Sequence, residues 1–351
     1  MAPLLRPARP PAEAAAIATD AATLHGDAIV IDGTCPLLRR KEFVDWYREG
    51  GVTACAPTVG STGSAEETLR NLGSWQRLIA ARPELLLVER AAQVREAKRD
   101  GRLGLVFHFQ GADPIENDLD LVEAYRALGV RMVQLAYNIR NRVGDGCEEA
   151  TDGGLSRFGR DLVLRLNENR IIVDGSHTGA RTTLEAIDAS RLPFVFSHAN
   201  ARAVHDCPRN LSDAQIRAAA ATGGVIGING FPAFLGAGPT PAIDDFLRHL
   251  DHVVDLVGIE HAALGLDYYE GMHPVADAAE AARMYRQQLA VRRWSAEVYP
   301  PPPHHYPAGI ETPRTLPTLT AALLEHGYHA EEVRKILGEN WLRVMQAVWG
   351  A

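Results

Sequence analysis

Short apolar runs recur along the chain at fairly even intervals, and each is followed by a segment with helical periodicity. The runs are dense in Val, Ile, Leu and Phe and do not alternate strictly with polar residues, which is typical of strands buried on both faces of a parallel sheet. Eight strands are therefore predicted, at residues 28–34, 52–58, 103–111, 130–137, 170–177, 193–199, 223–230 and 262–269.

The segments between these runs carry helix signals. Several open on a Ser, Thr or Asp cap and several close on Gly or Asn. Helices are predicted at residues 41–50, 64–84, 119–129, 158–170, 180–190, 212–223 and 242–258. Eight βα units in unbroken alternation favour an α/β fold of the closed (β/α)₈ TIM barrel type over an open, doubly wound sheet. Two further helical segments, 316–327 and 330–350, are predicted to pack on the barrel as a C-terminal extension.

Composition is ordinary for a globular protein with a large core: 351 residues, 46% of them hydrophobic and 23% charged. Residues 22–351 are predicted to form a single barrel domain, preceded by a flexible lead-in at 1–21. The net charge is -8 and no basic stripe is present, so nucleic acid is not an expected partner. No run approaches the roughly 18 apolar residues of a membrane span. Four scattered cysteines without CxxC spacing argue against a structural zinc knuckle and fit a cytoplasmic protein.

Polar residues at the carboxyl ends of barrel strands are the candidates for chemistry, because these ends converge on one mouth. Two successive strands end in the same dipeptide, Ser176-His177 and Ser197-His198. An imidazole at the end of each of two neighbouring strands is what a metal site at a barrel mouth needs. The other strand-end candidates are Asp32, Thr34, Cys35, His108, Gln110, Tyr137, Asn138, Asp174, Asn200, Asn229, Asp267 and Tyr268.

Asp267 closes an otherwise apolar run. A carboxylate there is costly to desolvate unless it is paired, which makes it a candidate acid or base. His108 lies two residues before Gln110 and faces the same side, so a core imidazole and a metal ligand are equally compatible with its position. Arg209, after strand six, suits two-pronged binding of a carboxylate, and a salt bridge with Asp206 or Asp213 is the alternative.

Two further features leave alternatives open. Cys35 could be a soft ligand or nucleophile, although no base is obvious beside it. His304 and His305 follow four prolines in a long loop after strand eight, and solvent-exposed positions are expected for both. That loop could also cover the site.

Several sequence segments, in the same order along the chain, resemble those of the membrane (renal-type) dipeptidase family, which is peptidase family M19 of the amidohydrolase superfamily. The resemblance begins near residue 22 and continues to the C-terminus. The segments are VIDG, QLAYNIRNRVGDGC, VDGSHTG, SHAN, HDCPRNLSD, TGGVIGING, LGLDYYEG, the YP…GIE region and ILGENWLRV.

The resemblance implies a zinc hydrolase that cleaves dipeptides. It implies that His177 and His198 bind metal, that Asp267 transfers protons and that Arg209 binds the substrate carboxylate. Family members also carry a His-x-Asp motif at strand one and a bridging glutamate at strand three, together holding two zinc ions. This chain instead has Thr34 and Pro36 at the motif and Gln110 at the glutamate position, and Tyr137 replaces a substrate-binding histidine.

These departures predict one divalent ion, zinc in the first instance, held by His177, His198 and Gln110. A second ion is not expected, because the neutral amide of Gln110 cannot offset the charge of two cations as a bridging carboxylate does. The expected function is a metal-dependent hydrolase of an amide bond in a dipeptide or similar small carboxylate-bearing substrate. Tyr137 and Asn138 are predicted to join Arg209 in substrate binding. The alternatives are a lyase, isomerase or cyclic-amide hydrolase on the same fold, or a catalytically silent binding protein. A homodimer is possible.

Overall fold

The computed structural model describes residues 20–350. The predicted lead-in, 1–21, lies outside the described residues except for its last two, which belong to a first helix, α1, at residues 20–27. No domain boundary within the remainder is tested, so the single-domain organisation stays a prediction.

Parallel strands form the inner layer of the fold, and the side chains of nearly all of them are buried because helices cover the outer face. The strands are β1 Ile31–Cys35, β2 Ala54–Gly60, β3 Leu85–Leu87, β4 Leu103–Leu105, β5 Phe107–Phe109, β6 Val130–Gln134, β7 Ile172–Asp174, β8 Phe194–Val195, β9 Ile226–Ile228 and β10 Ala262–Leu264. Every predicted strand is present, so the predicted α/β barrel architecture is confirmed.

The sheet closes through irregular contacts at two seams. An isolated parallel bridge between Phe196 and Ile226 joins β8 to β9, which pairs with β10. Between β10 and β1, the Leu266 amide donates to Asp32 Oδ1 at 2.8 Å and the Leu37 amide donates to the Tyr268 carbonyl at 2.7 Å. Asp32, a strand-end candidate in the sequence, therefore stabilises the barrel seam.

One region differs from the prediction. The run at 103–111 is divided into β4 and β5. A short extra strand, β3, pairs with the edge of β4 that faces away from β2. The register shifts between Phe107 and His108 where β5 meets β6. Such irregularities are frequent beside active sites, where they re-aim side chains, and Gln110 follows this one directly.

Helices form the outer layer. Their bounds are α2 Val44–Glu49, α3 Ala65–Ala81, α4 Ala92–Asp100, α5 Leu121–Ala127, α6 Arg157–Glu168, α7 Ala180–Ala189, α8 Asp213–Ala221, α9 Ile243–Val257, α10 Ala278–Ala290, α11 Pro317–His326, α12 Ala330–Arg334 and α13 Asn340–Trp349, with a π-helical turn at Lys335–Glu339. Ser64 and Ser212 begin α3 and α8 with capping boxes, which satisfy amides that have no intrahelical acceptor. The sequence did not predict α4 or α10.

The C-terminal helix closes the end of the barrel opposite the strand carboxyl ends. Trp341 and Met345 of α13 pack with Ile31, Met132 and Ile172 in the interior core. The Trp341 indole donates to the Leu264 carbonyl at 2.8 Å, so its polar atom is satisfied although the ring is buried. The predicted packing of the C-terminal extension on the barrel is thus observed. Between residues 20 and 350, no helix is both long enough and apolar enough to cross a bilayer.

His249 on α9 gives the fold a predicted sensitivity to acid. Its Nδ1 accepts from the Ala201 amide at 3.2 Å and its Nε2 lies 3.4 Å from the Leu235 carbonyl. Only a neutral imidazole, protonated on Nε2, satisfies both contacts. Burial lowers the pKa of His249 to about 4, below about 6.5 in the unfolded chain. Protonation therefore favours unfolding, and this contribution to stability is lost as the pH falls from 6.5 towards 4.

We expect the free energy of unfolding of the wild type to fall by about 3 kcal/mol as the pH falls to 4, because His249 becomes protonated more readily in the unfolded chain. His249→Gln keeps a neutral donor and acceptor and does not titrate, so the stability difference between wild type and variant should change by that amount across the window. Urea unfolding midpoints measured at several pH values test this. Parallel pH profiles for the two proteins would contradict it.

Candidate active site

Side chains from the carboxyl ends of four strands meet at the barrel mouth. Gln110 follows β5, His177 follows β7, His198 follows β8 and Asp267 follows β10. All four are buried. Because parallel strands end at the same rim, residues far apart in sequence come together there.

The two histidines face each other directly. His177 Nε2 lies 2.8 Å from His198 Nε2. Burial lowers the pKa of both imidazoles, and the positive charge of Arg209 acts in the same direction. Both rings are therefore neutral near pH 7, which is the state in which an imidazole binds a metal.

The tautomer of His198 follows from its hydrogen bonds. Ser197 Oγ donates to Asp174 Oδ2 at 2.5 Å, so its lone pair faces His198 Nδ1, 2.6 Å away. The proton of His198 is accordingly assigned to Nδ1, and Nε2 is left with a free lone pair. Burial acts to raise the pKa of Asp174, but the hydrogen bonds from His108 and Ser197 hold it below its usual range. Asp174 remains an anion that orients this chain of contacts.

His177 is held by a different set of neighbours. Its Nδ1 lies 2.6 Å from Asn138 Oδ1 and 3.0 Å from Arg209 Nε, and the Tyr137 ring stacks on the imidazole with centroids 4.1 Å apart. The Asn138 amide nitrogen donates to the Arg293 carbonyl at 2.8 Å, which fixes the oxygen towards His177. Arg209 Nε can only donate, so a neutral His177 ring accepts this hydrogen bond at Nδ1 and carries its proton on Nε2, facing the lone pair of His198 Nε2.

This proton accounts for the 2.8 Å separation of the two Nε2 atoms, and a bound cation would take its place between them. Two nitrogens bound tetrahedrally to one zinc lie about 3.3 Å apart, so a small rotation of either ring accommodates an ion. The His177–His198 pair thus has the donor chemistry of one metal site.

Gln110 provides the third polar group. Its Oε1 accepts from Thr58 Oγ1 at 3.2 Å, and its Nε2 lies 3.4 Å from both Thr34 Oγ1 and His198 Nε2. Exchanging the two amide atoms keeps the contacts with Thr58 and Thr34, because hydroxyls donate and accept. That orientation turns the carbonyl oxygen, a possible ligand, towards the histidines.

A second metal ion does not fit. At the strand-one positions, Pro36 carries no donor atom and the Thr34 hydroxyl contacts His108 Nδ1 at 3.4 Å. Within residues 20–350, no three His, Cys, Asp or Glu side chains lie close enough to bind a common metal ion. The residues present suit one ion with two imidazoles and a neutral amide.

Asp267 is the buried acid of the site. Its Oδ2 accepts from Asn229 Nδ2 at 3.0 Å, and Tyr306 donates its hydroxyl proton to the Asp267 carbonyl oxygen. Burial raises the pKa of Asp267 to about 6, against the opposing effects of the Arg209 charge and the Asn229 hydrogen bond. A carboxyl group in this range can both accept and return a proton near neutral pH.

The backbone is unusual at three predicted site residues. Asn138, His177 and Asp267 have φ values of +60°, +62° and +58°. Residues other than glycine rarely adopt this left-handed conformation, and such residues cluster at active sites. Their coincidence with the strand-end candidates is independent support for a functional site.

A narrow cavity opens over these residues. Its wall is mainly aromatic, and the long segment after β10 contributes three of the rings, so that segment does cover the site. The lining residues are Pro36, Arg39, Gln110, Tyr137, His177, Phe231, Asp267, Tyr269, Gln288, Trp294 and Tyr299. Sequence analysis missed Arg39, Phe231, Tyr269, Gln288, Trp294 and Tyr299. Phe231 and Tyr269 follow strand ends and could have been found by that rule, whereas Trp294 and Tyr299 carry no such signal.

Other candidates lie outside the cavity lining. His108 contacts Asp174 Oδ2 through Nε2 at 3.2 Å, one layer below the mouth, which is the core arrangement. Cys35 is buried with its Sγ 3.9 Å from the Asp32 carbonyl. The expectation of solvent exposure is wrong for His304, which is 2% exposed and packs 5.0 Å from the Phe231 ring because the proline-rich loop folds inwards.

Arg209 makes neither of the salt bridges considered from sequence. Its Nε lies against His177 Nδ1 and its terminal nitrogen donates to the His198 carbonyl at 2.8 Å. Asp206 and Asp213 instead contact Arg202 and His252. Arg209 is 2% exposed and is absent from the cavity lining. Its role in substrate binding stays a prediction.

Comparison with known proteins decides the family. The family model described as membrane dipeptidase (peptidase family M19) matches residues 47–298 and 303–350. The chain belongs to the M19 dipeptidase family. The resemblance seen in the sequence is thereby confirmed, and the family is one of metal-dependent dipeptidases.

Similar M19-like structures support the fold assignment. A crystal structure of an amidohydrolase from Pseudomonas aeruginosa is 33% identical and has a TM-score of 0.84, with 94% of this chain and 99% of that chain covered. A metallopeptidase from Rhodobacter sphaeroides, solved with a phosphinate mimic of the dipeptide L-Ala-D-Ala, is 25% identical with a TM-score of 0.76 over 92% of this chain and 100% of that one. An uncharacterized protein in the pqqA 5' region of Klebsiella pneumoniae is 30% identical over 270 residues, 74% of this chain and 87% of the relative.

Proposed function

We propose that this M19 protein hydrolyses the amide bond of a dipeptide or similar small, carboxylate-bearing substrate with a single divalent metal, zinc in the first instance. The observation that carries the proposal is the pair of neutral imidazoles whose Nε2 atoms face each other 2.8 Å apart. His177, His198 and Gln110 would hold the ion, and an ion held there would supply Lewis-acid activation of a water, lowering the pKa of that water to about 7.

The chain's own residues account for the proton transfers. Asp267 lines the cavity beside His177 and Gln110, so it is placed to take a proton from the attacking water and to return it to the leaving nitrogen. The Asn229 amide orients the carboxyl group through its 3.0 Å hydrogen bond. Burial of the site excludes bulk water, which strengthens each electrostatic contact inside it.

Orientation of the histidines falls to a second layer of residues. Ser197 and Asp174 fix the His198 tautomer, and Asn138 and Tyr137 hold the His177 ring. Partners of this kind typically change metal affinity by 10–100-fold when they are removed. Tyr137 also lines the cavity, where its ring can contact the substrate.

Metal content provides the direct test. We expect about one divalent ion per chain in the wild type and almost none in His198→Ala, because two ligands rarely retain an ion. His252→Ala removes an imidazole that pairs with Asp213 on the helical layer and serves as the matched control. Elemental analysis of the three purified proteins gives the readout. Equal metal content in wild type and His198→Ala would contradict the proposal.

A turnover panel separates this proposal from its alternatives. Dipeptides and N-acyl amino acids would be supplied with zinc, with manganese and with a chelator. Hydrolysis that a chelator abolishes supports the metallohydrolase. Chelator-resistant chemistry that Asp267→Asn removes supports a lyase, isomerase or cyclic-amide hydrolase. Ligand binding without turnover of any substrate supports a catalytically silent protein.

A further inference from the structure

Arg39 is the one arginine among the described residues that line the site cavity. It ends the short helical turn Pro36–Arg39 that follows β1. Its side chain lines the site cavity and also a neighbouring open cavity, so it stands at the passage between the two. Gln288 is the other residue common to both linings. A substrate that reaches His177 through this passage must pass the Arg39 guanidinium.

The guanidinium of Arg39 has unused binding capacity. Its ion pair with Glu270 has a nitrogen–oxygen distance of 3.6 Å, longer than a hydrogen bond. Among the residues that the structure describes, Glu270 is the one acidic side chain paired with Arg39, and this single contact leaves other N–H donors of the guanidinium available. The side chain is 32% exposed, so an incoming anion can reach it. An arginine with free donors facing a cavity is suited to binding a carboxylate through two parallel hydrogen bonds.

Arg209 is differently placed. Its donors are directed at His177 Nδ1 and the His198 carbonyl, and its guanidinium carbon lies 5.4 Å from the centre of the Phe234 ring. It lies behind the histidines and is almost wholly buried. A carboxylate entering the cavity therefore meets Arg39, whereas contact with Arg209 requires the existing hydrogen bonds to be exchanged.

The rest of the cavity wall is mostly aromatic. Tyr137, Phe231, Tyr269, Trp294 and Tyr299 line it. Trp294 stacks on Tyr299 with centroids 4.3 Å apart and donates its indole hydrogen to the Tyr137 hydroxyl at 3.2 Å. These contacts hold the rings in place without a ligand. The space that the rings enclose is about 20 Å³, so a flat or large apolar group would bind by separating the rings and burying its surface against them.

We propose that Arg39 anchors the carboxylate of a substrate whose aromatic or large apolar group packs against this ring wall. The substrate class is then an amide that carries a free carboxylate at one end and a bulky apolar group at the other. This inference rests on the proposed function only for the bond that is cleaved. The binding it describes requires neither metal nor turnover.

A matched pair of small probes tests the carboxylate anchor. Phenylacetate and phenylacetamide have the same ring and differ in charge. We expect wild type to bind phenylacetate about 10- to 100-fold more tightly, the range of charge-assisted hydrogen bonds. Arg39→Gln should abolish the preference by weakening phenylacetate alone. Quenching of tryptophan fluorescence, to which Trp294 in the cavity wall contributes, or calorimetry provides the dissociation constants.

Two arginine variants serve as comparisons. Arg40→Gln removes the neighbouring guanidinium, which pairs with Glu42 and is absent from the lining, and should leave the preference intact. Arg209→Gln addresses the rival anchor. The inference is overturned if wild type shows no preference, if the preference survives in Arg39→Gln, or if only Arg209→Gln abolishes it. If Arg39→Gln loses the preference but the wild type hydrolyses no substrate of the panel, this inference stands and the proposed function is refuted.

Acetate tests the apolar half of the inference. It lacks the ring and retains the charge, so we expect it to bind at least about 10-fold more weakly than phenylacetate, as burial of several ring carbons contributes more than this factor. Equal binding of the two anions would refute the role of the ring wall and with it the proposed substrate class.

Discussion

Asp267→Asn is expected to lower kcat by about 10²- to 10⁴-fold, the usual contribution of a general acid–base group. The amide retains the shape of the carboxylate and can still contact Asn229, so the fold and the cavity should be preserved. An asparagine cannot accept the proton of the attacking water, and the loss should therefore appear in kcat more than in KM. Steady-state kinetics on the best substrate of the panel give the readout, with metal content measured on the same samples.

Asp113→Asn is the matched control for this prediction. Asp113 is a partly buried carboxyl near the same rim, where it accepts from Asn141 Nδ2 at 3.2 Å, and it does not line the site cavity. Its replacement should leave kcat within a few-fold of wild type. Near-wild-type turnover by Asp267→Asn, with metal bound, would remove Asp267 from the chemistry.

Gly265→Ala is expected to destabilise the fold by about 3 kcal/mol or more and to disrupt the metal site together with it. A Cβ atom at this position would lie 1.9 Å from the Ser197 carbonyl oxygen and 3.0 Å from His198 Cα. Both are backbone atoms of the segment that carries a proposed ligand, so no flexible side chain can move aside. Overpacking against backbone forces whole segments to shift, and His198 would be displaced from His177.

Gly26→Ala controls for the loss of backbone freedom. No heavy atom among the described residues lies within 4 Å of a Cβ built there, and Gly26 is in helix α1. Alanine is favoured over glycine in helices by about 1 kcal/mol, so this variant should be as stable as wild type or slightly more stable. Urea unfolding and elemental analysis of both variants test the prediction. A Gly265→Ala protein with unchanged stability and metal content would show that the β8–β10 contact is not as close as described.

Three of the five metal-ligand positions implied by the family resemblance are replaced in this chain, which alters the electrostatics of the site. A bridging carboxylate would add a negative charge beside Asp267, and Gln110 is neutral. The acid is therefore left as the main anion facing the cavity, with Arg39 and Arg209 lowering its pKa and burial raising it. Arg39, which lines the cavity, can therefore offset the charge of a substrate carboxylate as well as that of Asp267.

Prediction from sequence succeeded where the signal is local. Continuous apolar runs gave the strands around the barrel because burial on both faces leaves no polar positions. The strand β3 at Leu85–Leu87 was missed because three residues after a helix are too short to show a pattern. Helix α10 contains no proline and is rich in alanine, but it was missed because the insertion was interpreted from its proline-rich part, residues 300–303. The division of 103–111 into two strands depends on register with β2 and β6, which is not a property of that segment alone.

The sequence by itself determined the barrel class, the family and the side chains brought to the mouth after strands five, seven, eight and ten, because hydrophobic periodicity and strand-end position are encoded locally. Only the tertiary structure decided how those groups are used. It set His177 against His198, turned Arg209 to the histidines and Arg39 to the cavity, and folded Trp294 and His304 inwards. Such choices depend on contacts between residues far apart in the chain, and on loops whose paths no periodic pattern specifies.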